Sequence, residues 1–347
     1  MAIRAAPLKS PASLICDWIE LSVLRDQKPF RFSGLKRKFD TNRESETTDT
    51  EGRARRETDT DGDGFSGEDA DAFLDSVTDE LGDRAKYLKD AYPFEINDSG
   101  TLLGLKDQVN EGGYIYLFCL MLTHCKADDV VDGTWVPDID HVTRDLFQAC
   151  STLAAAGQLD GCAISFGWPR PGKEPFLVRL KQVYALFGEG KVIDVPHNGA
   201  SVSPKDEEID IIAWTPTNDQ APGTRYLLGQ VASGHNWEAK SLKGPPIDRF
   251  HTMWFAPRPA SDATASIFIP HAILPNGTGT RIDVMQWKTL DFGTVFDRLR
   301  LPYYAMKGIE IADAARPGFH IERRQDVPRV IEWVATQVEA LRAAPNA

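Results

Sequence analysis

No stretch of this chain stays apolar for the roughly 20 consecutive residues that a membrane-spanning helix needs, so no membrane partner is expected. Basic charge is in short supply. There are 39 Lys and Arg against 51 Asp and Glu, a net charge of -12. That balance argues against a protein that coats nucleic acid without specificity. It leaves room for a nuclease, whose basic groove can be local while its metal site is acidic. Cysteine is sparse as well. Cys16, Cys119, Cys125, Cys150 and Cys162 stand at irregular spacings, and no two form a CxxC pair. The expected reading is five buried free thiols in a cytoplasmic protein. Arg4 and Lys9 are followed by Pro11 with no apolar run before it, so no secretory leader is expected.

What is present is enough for a large core. The chain has 347 residues, 42% of them hydrophobic, and its length favours two domains. The first, 1–155, reads as mostly helical. Leu14, Trp18, Leu21 and Leu24 recur at helical spacing after Ser13, a residue suited to the N-cap. Asp17 and Glu20 would then lie on the outer face as solvated charges. Residues 36–71 mix Lys36-Arg37-Lys38 and Arg53–Arg56 with acidic and Thr-rich segments, the composition of a flexible charged insertion. Within it, Asp59, Asp61, Asp63 and Gly64 occupy the first positions of a calcium loop. The pattern then fails, because Ser66 and Ala70 stand where an apolar residue and a bidentate Glu are needed. Helices are predicted over 70–90, 113–124 and 142–156. His124 and Cys125 are adjacent, which suits a core histidine better than a shared metal.

The character changes over 156–347. Pro175–Phe187 is an amphipathic helix stopped by Gly188. Ile209–Trp214, Tyr226–Val231 and Ser266–Ile269 read as strands, the second apolar throughout as if buried on both faces. Asn236–Leu242 starts a helix, Val295–Leu301 reads as a strand or a helix start, and Val327–Ala343 is an amphipathic helix. Together these predict an α/β sandwich.

The stretch from Glu207 to Lys240 carries the chemistry. Asp210 heads one apolar strand and Gln230 sits at the far end of the next, with the polar Thr215–Thr224 between them as a hairpin-like connection. Cleaving a phosphodiester needs a placed hydroxide, charge stabilisation on phosphate and help for the leaving oxygen. Magnesium supplies most of this from carboxylate and carbonyl oxygens while keeping some waters. Paired strands lie about 4.8 Å apart, so Asp210 and Gln230 can share one ion if their strands pair. Glu207 is an additional metal ligand in this reading, Asp206 another, and Glu189 a weaker one. His235 is a loop histidine within reach of a phosphate. Trp237 suits a core anchor better than a stacking platform.

This arrangement resembles the PD-(D/E)xK nuclease superfamily, the fold of many restriction endonucleases. There an Asp precedes or opens one strand, and a Glu or Gln followed two residues later by Lys lies on the next. Asp210 and Gln230 match, and Ala232 departs from the pattern. Members with the Lys moved to the neighbouring helix imply that Lys240 takes that role. The resemblance implies an α/β fold: a restriction-endonuclease-like mixed sheet flanked by helices, preceded by the helical N-terminal domain. It implies a metal-dependent endonuclease using Mg2+, with Mn2+ as substitute, and DNA favoured over RNA as substrate. Asp210, Gln230 and Lys240 would be catalytic. Asp210, Gln230 and Glu207 would hold the metal. Phe-Gly-Trp-Pro-Arg, Ile-Asp-Ile-Ile-Ala-Trp and Gly-Gln-Val-Ala-Ser-Gly-His-Asn-Trp are also similar to wording in nuclease-like proteins of bacterial anti-phage defence loci. An effector of such a system, with a protein partner from the same locus, is therefore expected. The competing expectation is a catalytically degenerate subunit that binds nucleic acid or a protein partner without cutting.

Overall fold

The structure is a computed structural model that describes residues 2–4, 6–7, 10–37, 67–125, 130–132, 139–168, 174–197, 207–275 and 279–343. The calcium-like run at 59–64, most of the charged insertion and Asp206 lie outside the described residues.

The chain runs through β1 (Ala2–Ile3), α1 (Ala12–Asp26), β2 (Phe30–Arg31), α2 (32–37), α3 (Gly67–Leu88), β3 (Phe94–Ile96) and β4 (Leu102–Leu105). Next come α4 (Glu111–Thr123), β5 (Val131–Asp132), α5 (His141–Leu159), β6 (Cys162–Ser165), α6 (Phe176–Phe187), β7 (Ile211–Trp214) and β8 (Tyr226–Val231). The remainder is α7 (Pro245–Trp254), β9 (Ala263–Phe268), α8 (Arg281–Phe292), β10 (Thr294–Phe296), α9 (Leu301–Asp313) and α10 (Val327–Ala343). The fold is mixed α/β. Its main sheet has five strands in the order β10-β9-β8-β7-β6, with a three-stranded antiparallel sheet, β2-β4-β3, and a β1-β5 pair beside it. In the main sheet β6, β7 and β8 are antiparallel, whereas β8, β9 and β10 are parallel. The parallel steps need crossovers, and α7 and α8 supply them.

Side chains alternate across these strands, so each face has its own core. Ala163, Ile211, Ala213, Leu227, Phe268 and Phe296 point to the side packed by α1, α4, α5, α9 and α10. Ile164, Ile212, Trp214, Tyr226 and Leu228 point to the other side, against α6 and α7. Ala232, Ile267 and Val295 continue that second face toward Trp237 and α8. The first cluster draws on both sides of position 155, from Ile15 and Phe118 to Phe268 and Val334. Helices α5 and α9 meet backbone to backbone. A Cβ at Gly157 would lie 1.9 Å from the Tyr304 carbonyl oxygen, and one at Gly308 would lie 1.9 Å from that of Leu153. All five cysteines are buried free thiols.

Two expectations for α1 need correction. Its N-cap is Pro11, not Ser13. The Ser13 carbonyl instead accepts a hydrogen bond from Arg84 at 2.9 Å. Asp17 and Glu20 are not solvated: they are 4% and 0% exposed. Arg298 grips both oxygens of Asp17 at 2.5 and 2.7 Å, and Arg84 adds a bond of 2.6 Å. His124, buried as the sequence suggests, meets the same carboxylate at 2.8 Å. Tyr92 and Tyr116 each donate to Glu20 at 2.7 Å. Burial opposes the Asp17 charge, but Arg298, Arg84 and His124 outweigh it and hold the carboxyl well below its ordinary range. Around Glu20 burial prevails over Arg84 and raises the carboxyl. The partners lie 67 and 281 residues from Asp17, beyond the reach of helical periodicity.

Removing one member strands the other charges without solvent. Arg298→Met is expected to cost about 3–5 kcal/mol, read from the shift in the urea midpoint at constant slope. An exposed Arg316→Met control should change stability by less than about 1 kcal/mol, since its pairing with Asp160 is at the surface.

Candidate functional site

The hairpin β7–β8 fixes the geometry around Asp210. Ile211 pairs with Gly229, the last pair of the ladder at this end. The Asp210 amide donates to the Gly229 carbonyl at 2.8 Å, and the Asp210 carbonyl accepts from Phe166 and Gly167 at 2.7 and 3.0 Å. Asp210 is thus offset by one residue from the ladder, bonded to Gly229 and Val231 on either side of Gln230. The Asp210 Oδ2 accepts from the Val231 amide at 2.7 Å, which ties the carboxylate to the end of the neighbouring strand.

Gln230 is only 7% exposed, and its Oε1 has no hydrogen-bond partner among the described residues. Buried amide oxygens are rarely left so, because an unmet acceptor costs about 1–3 kcal/mol. On its face of the sheet Gln230 lies between two apolar clusters, with Leu228 in one and Ala232 in the other. On the β6 side the lack of a side chain at Gly167 lets the carboxylate and Gln148 pack close against the backbone. A Cβ there would lie 2.3 Å from Asp210 Oδ1 and 2.8 Å from the Gln148 amide nitrogen. Gln148, on α5, donates to Ser165 Oγ at 2.8 Å and reaches the Asp210 carbonyl at 3.4 Å.

Ion pairs surround this floor. Glu322 accepts from the Ser165 amide at 3.1 Å and is held by Arg179 at 2.6 Å. Arg323 bridges Asp145 at 2.9 Å and Asp326 at 2.6 Å. Burial works against the Asp326 charge, and Arg323 and Arg329 overcome it, so its carboxyl is held below the ordinary range. Sequence reading did not reach Gln148, Arg179, Glu322 or Arg323. They come from α5, α6 and the segment before α10, and no local spacing ties them to Asp210.

The other expected residues are placed as follows. Ala232 is buried, and its amide donates to the Phe268 carbonyl at 2.9 Å. The segment after β8 forms a single 3-10 turn, Trp237–Ala239, rather than the start of an α-helix. Lys240 closes that turn in extended backbone, and its amide donates to the Trp237 carbonyl at 2.9 Å. Trp237 is a core anchor beside Ala232 and Phe292, so the turn packs on the face that carries Gln230. Lys240 itself is half-buried. Glu207 has a φ of 52° and faces Arg249 at 3.6 Å. Glu189 lies at the opposite end of the hairpin. It accepts from Ser261 at 2.7 Å and from the Gly223 amide at 3.2 Å, which pins the turn loops. Among the described residues, no three His, Cys, Asp or Glu side chains converge as a metal-binding group. The oxygen donors at Asp210 and Gln230 fit an ion that keeps most of its waters, as magnesium does, and not a closed protein cage.

His235 is exposed and stacks on His271, with ring centroids 4.6 Å apart. His271 follows β9, so the pair lies at the sheet edge that carries Gln230. It is buried, and its Nε2 has no partner. Burial first, then His235 and Arg298, pushes the His271 imidazole down to about 3 from 6.5. The neutral ring is thus the native form. Its contribution to stability is full above pH 6.5 and is lost progressively as pH falls toward 3. Stability should therefore decline between pH 6.5 and 4, by up to about 1.4 kcal/mol per pH unit for this group. His271→Asn should flatten that slope in urea titrations run at successive pH values.

Compared with family models, with curated proteins and with solved structures, the chain gives no match, so its site stands on its own geometry.

Proposed function

We propose that this chain is a metal-dependent phosphodiester hydrolase that cuts nucleic acid, DNA in preference to RNA. One observation carries the reading: a strand-opening carboxylate, Asp210, is tied to the amide of Val231, next to Gln230, whose buried oxygen has no hydrogen-bond partner among the described residues. A mixed sheet flanked by helices agrees with the restriction-endonuclease-like resemblance. Asp210 and Gln230 would hold Mg2+ or Mn2+, with Glu207 as an additional carboxylate three residues before Asp210. Such an ion, when bound, neutralises phosphate charge and makes water a better nucleophile. Val231 fixes one Asp210 oxygen, which orients the carboxylate before substrate arrives. Gly167 lets the carboxylate and the Gln148 amide pack closely on the β6 side. Lys240, rising from the turn above Ala232, would place its ammonium against the phosphate in the role that Ala232 leaves open. The wording shared with bacterial anti-phage loci extends the proposal to a defence effector with a protein partner.

A supercoiled plasmid incubated with magnesium should be nicked or linearised. Asp210→Ala should lower the rate by at least about 100-fold and Lys240→Ala by about tenfold or more, as expected for groups that stabilise developing charge. Full cleavage by Asp210→Ala would overturn the assignment. A labelled RNA in the same assay separates the two substrates. The second reading, a catalytically degenerate scaffold, is favoured by the lack of a three-acid group among the described residues. It requires no cleavage with either metal and a protein complex that survives high salt.

A further inference from the structure

A groove of about 630 Å³ opens between the end of α3, one side of α8 and the start of α9. It shares no residue with the Asp210 site. Its two walls differ in chemistry. The α8 wall is apolar and open to solvent, with Ile282 75% and Leu290 56% exposed. Such exposure is unusual for large aliphatic side chains that nothing covers. The facing wall is aromatic and cationic: Tyr87, Lys89, Arg300 and Tyr303.

The cations there are not all committed elsewhere. Arg281 is, since it pairs with the buried Asp297 at 2.7 Å. Lys89 is exposed and has no carboxylate partner among the described residues. Its ammonium sits 5.1 Å from the Tyr303 ring centre. Lys307 approaches the same ring at 5.7 Å. Arg300 is half-buried and spends one nitrogen on the Val295 carbonyl at 2.9 Å, again without a carboxylate. Two acids stand at the rim: Asp83 accepts from Tyr87 at 3.2 Å, and Glu310 lies 3.7 Å from Lys307. In a chain of net charge -12, a groove lined by Lys89 and Arg300, with Asp83 only at its rim, favours anions.

A wholly apolar ligand would leave Lys89 and Arg300 without a counter-charge, and a bare anion would leave the tyrosines and the α8 wall uncovered. A flat ring joined to a phosphate satisfies both walls. The volume falls within the range of small-ligand pockets, about 300–1,000 Å³, and so suits one nucleotide. We propose that this groove binds a nucleotide, its base against Tyr303 and the Ile282–Leu290 wall and its phosphate at Lys89 and Arg300. The nucleotide can be a free molecule or one unit of a single strand, since both present the same base and phosphate.

The test uses the full chain in EDTA, so that cleavage plays no part. ATP is titrated by calorimetry, and a fluorescein-labelled oligothymidylate by anisotropy. Wild type should bind at least one of them. Lys89→Glu and Tyr303→Leu should each weaken that binding about tenfold or more, while Tyr303→Phe keeps it, because stacking survives loss of the hydroxyl. Lys89 is a surface residue, so its variant tests the groove even if a Tyr303 variant folds poorly. Binding of ATP assigns a free nucleotide; binding of the oligonucleotide alone assigns a strand. The proposal is overturned if neither probe binds, if Lys89→Glu and a folded Tyr303→Leu both bind as wild type does, or if inorganic phosphate competes as well as ATP.

Discussion

Asp17 is the charge on which the packing of the first half against the sheet depends. Its carboxylate receives Arg84 from α3, His124 from the end of α4 and Arg298 from the loop after β10. Three distant segments therefore converge on one buried group in the apolar core. Replacing such a network with aliphatic side chains can be neutral, but removing one partner is not. Whatever its net energy, the network is directional, as apolar contacts are not. Arg298 must follow β10 at a fixed place, so the network also sets where the C-terminal edge of the parallel strands lies relative to α1 and α4.

That edge carries the proposed site. The last residues of β8, β9 and β10 are in register, with Val231 beside Phe268 and Phe268 beside Phe296. Because β7 runs the other way, its first residue comes to the same edge. Asp210, Gln230, His271 and Arg298 are brought together there by sheet topology alone. The Arg298 amide even donates to the His271 carbonyl at 3.1 Å, which links the ion network directly to the loop beyond β9.

Much of this was legible in the sequence where local pattern was strong. Tyr226–Val231 and Val327–Ala343 fall where their patterns predict, the first because five of its six positions are buried in an apolar run, the second because its apolar stripe is regular. The antiparallel pairing of β7 with β8 followed from two strands joined by a polar turn. Other parts were illegible for physical reasons. Helix α8 exposes Ile282, Trp287 and Leu290, which blurs its apolar stripe; the Thr280–Asp283 capping box was its clearest signal. Helix α7 opens on two prolines, and the hairpin Phe94–Ile96 with Leu102–Leu105 is too short to show an alternation. Asp17 and Glu20 looked solvated because α1 is buried on every side, so no apolar stripe marks its inner face. The ring of Gln148, Arg179 and Glu322 around Asp210 is a product of tertiary packing.

The glycine contact between α5 and α9 has a consequence for descent. At Gly157 and Gly308 an added methyl would strike a carbonyl oxygen of the facing helix, not a side chain. A clash with a side chain can be relieved by a second, smaller substitution; a clash with backbone has no such remedy. These two positions are therefore closed to compensated drift so long as the helices keep this approach. For any relative of this chain, two glycines on facing helices would be a more durable mark of common ancestry than the polar residues at the sheet edge.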